Sequence, residues 1–375
     1  MKTYKVKELG KIITGKTPST KNENFWNKNI YHFITPIDIK NNRYILKTER
    51  QISELAITNF KTIILPSNSL LISCIGYIGY VALTKKDKSI SNQQINSIIN
   101  IKNEIAIPLY LYYYFLKNKS FLKIIGNNGT TMPIIKKSLF EEIEITIHEL
   151  EIQQHIVNTI GSVDDLIENY QLRIDKIIYI LGNSLNSYNE KVNIEHYKPK
   201  IIKSGIDKFD INKLYVDTSA INDINKISDC AIIKYDNRPL RANMQPTIDT
   251  AWFAKMKNSN KKLIITSIDY DLINNYILST GFLGIQATNN FPLTLISAIL
   301  FQDNFNIQRD LLSVGTTMSG INNKTLLTIK VPYLNNNEIL KYDKTYKCFI
   351  YELSSLRKKI NSLNNLKQIL LKKYF

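Results

Sequence analysis

The sequence predicts an α+β fold built twice over: two α/β bodies with twisted sheets, each followed by a long helix, the two helices pairing as a coiled coil. The first observation is an internal repeat. Gly129-Thr130-Thr131-Met132 returns as Gly315-Thr316-Thr317-Met318, 186 residues later in a chain of 375, and a period of half the chain marks a duplicated architecture. The second is that the offset holds without a gap downstream, where Ile135 falls on Ile321, Phe140 on Leu326, Ile143 on Ile329 and Ile145 on Val331. The third is that both copies then run into apolar residues at alternating spacings of three and four. In the first copy these are Ile160, Val163, Ile167, Tyr170, Ile174, Ile177 and Leu181; in the second, Tyr346, Phe349, Leu353, Leu356, Ile360 and Leu363. That spacing lays a narrow stripe along one helix face, the pattern by which helices pair. Lys367 interrupts the second stripe before Leu370 and Tyr374 resume it.

In chain order, residues 1–148 form the first body, with short strands expected over 62–65, 70–75, 80–84 and 94–101 and a helix over 109–125. Residues 149–190 are the first long helix. Residues 191–204, polar and containing Pro199, read as a linker. Residues 205–335 are the second body and 336–375 the closing helix. Upstream of the Gly-Thr-Thr-Met turns the halves diverge: Phe33-Ile-Thr-Pro-Ile-Asp-Ile39 only loosely matches Tyr215-Val-Asp-Thr-Ser-Ala-Ile221, and Pro108-Leu109 matches Pro292-Leu293. Two variable bodies on two near-constant helices suit one scaffold that carries two binding specificities.

Composition narrows the partners. With 44% apolar and 10% aromatic residues the chain can bury substantial cores. Its net charge of +17 favours a polyanion, because each lysine or arginine near a phosphate releases condensed counterions. A lysine-rich surface alone would give the same number. Cys74, Cys230 and Cys348 lie too far apart for a metal knuckle and read as reduced thiols. The start Met1-Lys-Thr-Tyr-Lys5 is too polar for a signal peptide. The longest apolar run, around residues 107–116, falls short of the roughly 20 residues of a membrane span. A soluble, cytoplasmic protein is expected.

Each motif has a plain reading beside the functional one. Gly10-Lys-Ile-Ile-Thr-Gly15-Lys16-Thr17 matches the phosphate-binding P-loop pattern, but the mechanism needs a buried strand before it and a helix after it. The sequence offers a charged segment before and Pro18-Ser19-Thr20-Lys21-Asn22 after, so a surface loop is expected. Its Lys16, Thr17, Ser19 and Lys21 suit a DNA phosphate. Asn92 and Gln93 in Ser91-Asn-Gln-Gln-Ile-Asn96 can pair with adenine, although amides at a strand start more often satisfy backbone groups. Arg238 and Arg241 stand in a turn, where reading guanine, clamping a phosphate and simple solvation are all open. Lys261 and Lys262 beside a strand could contact DNA or protect a sheet edge. Thr130, Thr131, Thr316 and Thr317 either cap the next element or hold a phosphate. The run Tyr110, Tyr112, Tyr113, Tyr114, Phe115 suits core packing better than base stacking. No His/Cys/Asp cluster has metal spacing, no Gly-x-Gly-x-x-Gly follows a strand, and no Pro-Pro pair exists to form the amino-methyltransferase signature. No metal and no cofactor is therefore expected on this chain.

At this point the chain resembles the specificity subunits of type I restriction-modification systems. The resemblance is carried by Lys7-Glu-Leu-Gly-Lys-Ile12 with Gly15-Lys-Thr-Pro-Ser19, by Ile34-Thr-Pro-Ile-Asp-Ile39 and Ile75-Gly-Tyr-Ile-Gly79, and by Ser91-Asn-Gln-Gln-Ile95. It continues through Gly129-Thr-Thr-Met132 and Leu150-Glu-Ile-Gln-Gln-His-Ile156, then Ser279-Thr-Gly-Phe282, Gly315-Thr-Thr-Met318 and the closing helix. The second half shows no copy of the Gly-Lys-Thr-Pro-Ser loop or of the Glu-x-Gln-Gln helix start. The resemblance implies that the two bodies are target-recognition domains, each reading one half of a bipartite double-stranded DNA target. It implies antiparallel pairing of the helices, whose length sets the spacer. It also implies a non-catalytic chain with two methyltransferase (M) subunits and restriction/translocase (R) subunits as partners, which carry S-adenosylmethionine and ATP. The alternatives are a non-catalytic coiled-coil scaffold for other proteins and an enzyme using Gly10–Thr17.

Overall fold

Leu70-Leu-Ile-Ser73 and Ile95-Asn-Ser-Ile-Ile99 offer apolar or small residues at nearly every position, the pattern of strands covered on both faces, and both are buried throughout. They lie at the centre of the first of two units in the protein, seen here in a computed structural model that describes residues 1–27, 30–40, 42–127, 133–228, 230–315 and 319–375. One unit is Met1–Asp165 with Asn365–Phe375, the other Leu166–Asn364.

The first unit has strands β1 (Lys2–Lys5), β2 (Lys11–Thr14), β3 (Tyr31–Ile34), β4 (Tyr44–Ile45), β5 (Arg50–Ile52), β6 (Leu70–Ser73), β7 (Val81–Thr84), β8 (Ile90–Ser91), β9 (Ile95–Ile99) and β10 (Glu144–Ile147). They form a five-stranded sheet in the order β2-β9-β6-β7-β4, a three-stranded sheet β5-β3-β8, and the pair β1-β10. The second unit has β11 (Lys191–Asn193), β12 (Lys200–Ile201), β13 (Lys213–Val216), β14 (Ala231–Ile233), β15 (Ala242–Met244), β16 (Thr250–Ala254), β17 (Lys262–Ile265), β18 (Tyr276–Ser279), β19 (Phe282–Gln286) and β20 (Lys330–Pro332). Its sheets are β12-β19-β16-β17, β14-β13-β18-β15 and β11-β20. The strand plan is the same in both units. A parallel bridge from Ile224 to Lys262 stands where β4 pairs with β7 in parallel, and β13 pairs with β18 in parallel as β3 does with β8. Strand β15 is the addition.

This plan corrects the expected linker. Residues 191–204 hold β11, the 3-10 turn Ile194–Tyr197 and β12, and Ile194 and Tyr197 are buried in the second core. Polar composition misled because β11 lies in a two-stranded pair and β12 at the edge of a sheet, where few positions point inward. Two smaller expectations also change. Residues 61–63 make a 3-10 turn rather than a strand. The helix over 109–125 is two, Pro108–Lys117 and Lys119–Gly126, broken where the Asn118 side-chain amide donates to the Tyr114 carbonyl at 2.9 Å. The aromatic run is core, with Tyr110, Tyr112, Tyr113 and Phe115 all buried.

The long helices are Leu150–Asn183 and Asn336–Tyr374. The first stops seven residues before the expected 190, where Asn183 and Ser184 turn the chain inward and Leu185 is buried. Partners along the helices run in opposite directions. In the first unit His155 Nε2 lies 3.2 Å from the Tyr374 hydroxyl, and Lys367 Nζ 2.7 Å from Asp164 Oδ1. In the second, Arg173 pairs with Glu352 and Ser184 with Tyr342. As the number rises on one helix it falls on the other, so the pairing is antiparallel. The stripe also enters the body cores: Ile160 is buried with the first, and Ile174, Ile177, Leu181, Leu353 and Leu356 with the second. No helix is long and apolar enough to cross a membrane among the described residues.

Polar side chains fix each helix on its body. Buried Gln153 accepts from Ile107 N and donates to the carbonyls of Ile105 and His148, all at 2.8–2.9 Å, which accounts for the second-to-last Gln of the Glu-x-Gln-Gln start. The hydroxyl of Tyr110 accepts from His148 N at 3.2 Å, and that of Tyr197 accepts from Leu334 N at 2.9 Å. The two donating amides, His148 N and Leu334 N, are one repeat of 186 residues apart. In the second unit Arg357 pairs with Asp269 at 2.7 Å, both almost fully buried, and donates to Asn225 Oδ1 and the Ile264 carbonyl. Burial pushes the Asp269 carboxyl up, but Arg357 and the bonds from Ser354 and Thr266 outweigh it and hold the group below its ordinary value. Arg357→Ala would leave that carboxylate buried and unpaired. It should cost the second unit about 3–5 kcal/mol in a urea melt, and a loss below about 1 kcal/mol would show that the pair does not hold the helix.

Candidate nucleic-acid interface

Strand β2 ends at Thr14, and its continuation is tied to the loop after β8. Gly15 N donates to the Ile95 carbonyl at 3.1 Å and Lys16 N to the Ser91 carbonyl at 2.9 Å. A Cβ on Gly15 would stand 2.3 Å from the carbonyl oxygens of Ser91 and Asn92, so only glycine fits. That close approach explains the P-loop spelling. The loop leads to the three-residue 3-10 turn Glu23–Phe25 rather than to a helix whose amides could cradle a nucleotide.

The contact sets Gln93 beside the loop that carries Lys16, Thr17, Ser19 and Lys21. Lys16 is exposed and lies 5.9 Å from the Phe60 ring; Thr17 donates to Gln93 Oε1 at 2.7 Å. Ser19 and Lys21 are exposed further along the same loop, with the Ser19 carbonyl held by Trp26 Nε1 at 3.1 Å. Asn92 and Gln93 separate. Asn92 is buried and spends its amide on Gln94, donating to Oε1 at 2.8 Å and accepting from Gln94 N at 3.1 Å. Gln93 is the amide presented to solvent.

In the second unit the strand registers identify the matching loops. Lys11 and Ile12 of β2 pair with Ile99 and Ile98, as Lys200 and Ile201 of β12 pair with Gln286 and Ile285. Lys200-Ile-Ile-Lys-Ser-Gly205 therefore stands where Lys11-Ile-Ile-Thr-Gly-Lys16 does. The Lys-Ile-Ile shared by both was the available signal, hidden because its spacing is 189 residues instead of 186. By the same registers Ser279-Thr280-Gly281 replaces Asn92-Gln93-Gln94. The β6–β7 hairpin, residues 74–80, corresponds to 255–261. Each hairpin clasps the segment after its Gly-Thr-Thr-Met sequence: Gly76 N donates to the Pro133 carbonyl and Lys257 N to the Ser319 carbonyl, at 3.2 and 3.1 Å. Thr130, Thr131, Thr316 and Thr317 themselves lie outside the described residues.

Four basic residues expected here have different fates. Arg241 is exposed, and its carbonyl accepts from Thr280 N at 2.8 Å, so the β14–β15 loop abuts the Ser279–Gly281 loop. Arg238 is half-buried, stacked 3.9 Å over the Tyr235 ring with Nη1 donating to the Tyr235 carbonyl at 2.6 Å. Lys261 spends its ammonium on the Thr218 carbonyl and is half-buried. Lys262 is a correction. It is 0% exposed and donates to Asn260 Oδ1 at 2.6 Å and Asn306 Oδ1 at 3.1 Å, so it cannot touch DNA. Strand alternation turns one of two adjacent lysines inward, and adjacency alone does not say which. Lys255, missed in the sequence, donates to the Thr280 carbonyl at 2.9 Å.

Residues 1–178 match the family of the type I restriction modification DNA specificity domain. Over 170 residues the chain is 38% identical to the type I restriction enzyme MjaIX specificity subunit of Methanocaldococcus jannaschii, and 33% to the HindI specificity subunit of Haemophilus influenzae. Each match takes in 44% of this chain, and 38% and 37% of those proteins, so the chain spans well under half the length of either relative. A protein of Mycoplasma genitalium described as a type I specificity subunit is 25% identical over 327 residues, 82% of this chain and 81% of its own. The crystal structure of a type I restriction-modification S subunit from M. genitalium superposes with a TM-score of 0.54 at 17% identity, covering all of this chain and 96% of that one; it shows the shared fold.

Lys262 also gives a pH test. Burial, with Arg309 nearby, brings its ammonium down to about 7. Between that value and the ordinary lysine range the unfolded chain binds one proton more than the folded one, so stability rises with pH there. The second unit should gain stability from pH 7 to 9, and Lys262→Met should flatten that slope. An unchanged slope in the variant would assign the proton elsewhere.

Proposed function

We propose that this chain is the DNA-reading subunit of a type I restriction-modification complex, each unit reading one half of a bipartite double-stranded target. One observation carries the reading: a single strand plan occurs twice, and in each unit the same strand ends present loops of different sequence. Strands need a fixed pattern of backbone bonds, whereas the loops at their ends are free to vary. In the first unit Lys16, Ser19 and Lys21 supply phosphate contacts, which set register without reporting sequence. Gln93, braced by Thr17, is the base reader, because an amide pairs bidentately with adenine in the major groove. In the second unit Arg241 and Thr280 take those parts.

The chain acts without chemistry of its own. Two methyltransferase subunits bring S-adenosylmethionine, restriction/translocase subunits bring ATP-driven cleavage, and the long helices serve as the frame they dock on. The helices span 34 and 39 residues, about 51 and 58 Å at 1.5 Å per residue, and their length sets the unread spacer.

Two experiments test this. In cells carrying the chain with its methyltransferase, exchanging residues 191–335 for another second body should change one half-site in the map of methylated bases and leave the other. Change in both half-sites, or no sequence preference on random duplex pools with the partners present, would overturn the proposal. Within the first half-site, Lys16→Ala should weaken binding to all sequences and lower the salt dependence by about one counterion. Gln93→Ala should instead relax one base position, with discrimination there falling by about 1–3 kcal/mol.

A further inference from the structure

Strand β15 and the loop leading to it, residues 234–241, have no counterpart beside β8, which forms the sheet edge among the described residues of the first unit. Its tip carries Leu240, 98% exposed. An apolar side chain left almost wholly in water is unremarkable on a loose loop. This loop is braced on every side. Ala242 N donates to the Pro239 carbonyl at 2.8 Å, closing a four-residue turn with Leu240 and Arg241 at its centre. Asn237 Oδ1 accepts from Lys234 N at 3.1 Å, and Arg238 is locked on Tyr235 by its ring contact and its bond to the carbonyl. The Arg241 carbonyl accepts from both Thr280 and Asn243. A leucine is thus held out rigidly between two arginines, against the loop proposed to read bases.

We infer that Leu240 is an apolar wedge that enters a base-pair step of the DNA bound by the second unit, with Arg238 and Arg241 on the flanking phosphates. This rests on the proposed DNA-reading function and deepens it. Duplex DNA fits the chemistry because it offers both surfaces within one step: an apolar stacking gap for the leucine and anionic phosphates for the arginines. Side chains that enter steps in this way unstack them and kink the duplex by roughly 20–90°. Rigidity matters here, since a wedge on a mobile loop would lose the ordering entropy that burial has to repay. Among the described residues of the first unit no such loop stands beside β8, so the distortion belongs to one half-site and the other serves as an internal control.

The test uses the full chain, with its partner subunits where binding requires them, on its mapped target carrying 2-aminopurine at successive positions. This base brightens when it loses its stacked neighbours. Apart from the base that a methyltransferase flips out in each half-site, wild type should raise the fluorescence several-fold at one step of the second unit's half-site and at none in the first. Leu240→Ala should abolish that rise and bind roughly tenfold more weakly, while Leu240→Met should keep both. Because the side chain has almost no contacts in the free protein, these variants leave the fold intact. Equal fluorescence and affinity for wild type and Leu240→Ala, with sequence-specific binding retained, would overturn the wedge and leave the DNA-reading proposal standing. Loss of partner assembly in Leu240→Ala with the fluorescence rise unchanged would overturn it in favour of a protein contact. Absence of sequence preference in wild type would overturn the underlying reading instead.

Discussion

The burial of one apolar stripe on each long helix is the constraint from which the rest of the structure follows. Isoleucine, leucine and tyrosine at every third or fourth position must leave water, and each stripe does so twice, against the other helix and against a body core. Ile174, Ile177 and Leu181 share the second core with Leu353, Leu356 and the helix Leu293–Phe301. Non-directional packing of this kind tolerates sliding. Direction comes from the buried polar groups, Gln153 in the first unit and the Asp269–Arg357–Asn225 set in the second, each satisfied at one register only. A shift by one turn would leave a buried charge or amide without its partner, at a cost of several kcal/mol.

With the helices held, the strand plan becomes the common frame of the two bodies. Equal strand order with unlike loops is what separate evolution of two surfaces on one scaffold would leave behind. The Gly-Thr-Thr-Met sequence stands in both halves, and the residues following it are clasped by the hairpins 74–80 and 255–261. The two hairpins are secured by different means. That of the second unit is fastened to the helix Asp303–Leu311, where Asn258 N bonds Asp310 and Arg309 bonds the Ser259 carbonyl. In the first, Lys119 lies 4.2 Å over Tyr80, which stacks on Tyr77. Identical backbone clasps with unlike side-chain fastenings allow each surface to change without disturbing the sheet behind it.

Much of this was legible before any coordinates. Repeat, period and stripe depend on residue spacing, and spacing is a property of the chain. The interface was legible only in part. Lys16, Thr17 and Gln93 were singled out separately, by residue type, yet they meet because Gly15 allows β2 to pass within touching distance of the loop after β8. Residue type suggests Lys262 and Asn92 on the same grounds, yet both are buried. Residue type states what a side chain can do; the sheet decides whether water or DNA can reach it. The second unit's counterpart of the Gly15 loop is not marked by the 186-residue period, because a three-residue change in offset hides it in the sequence while leaving strand register untouched.

The sequence by itself determined the duplication, the two long helices and the excess of positive charge, all of which follow from local periodicity and composition. Only the tertiary structure decided that residues 191–204 open the second body rather than link it, whereas the antiparallel run of the helices, which the resemblance implied, is seen in it. It alone distinguished exposed Gln93 and Arg241 from buried Asn92 and Lys262. The physical reason is that helix periodicity is written in neighbouring residues, whereas strand pairing and burial arise between residues far apart in the chain. No local pattern records which of two adjacent polar side chains a sheet will turn inward.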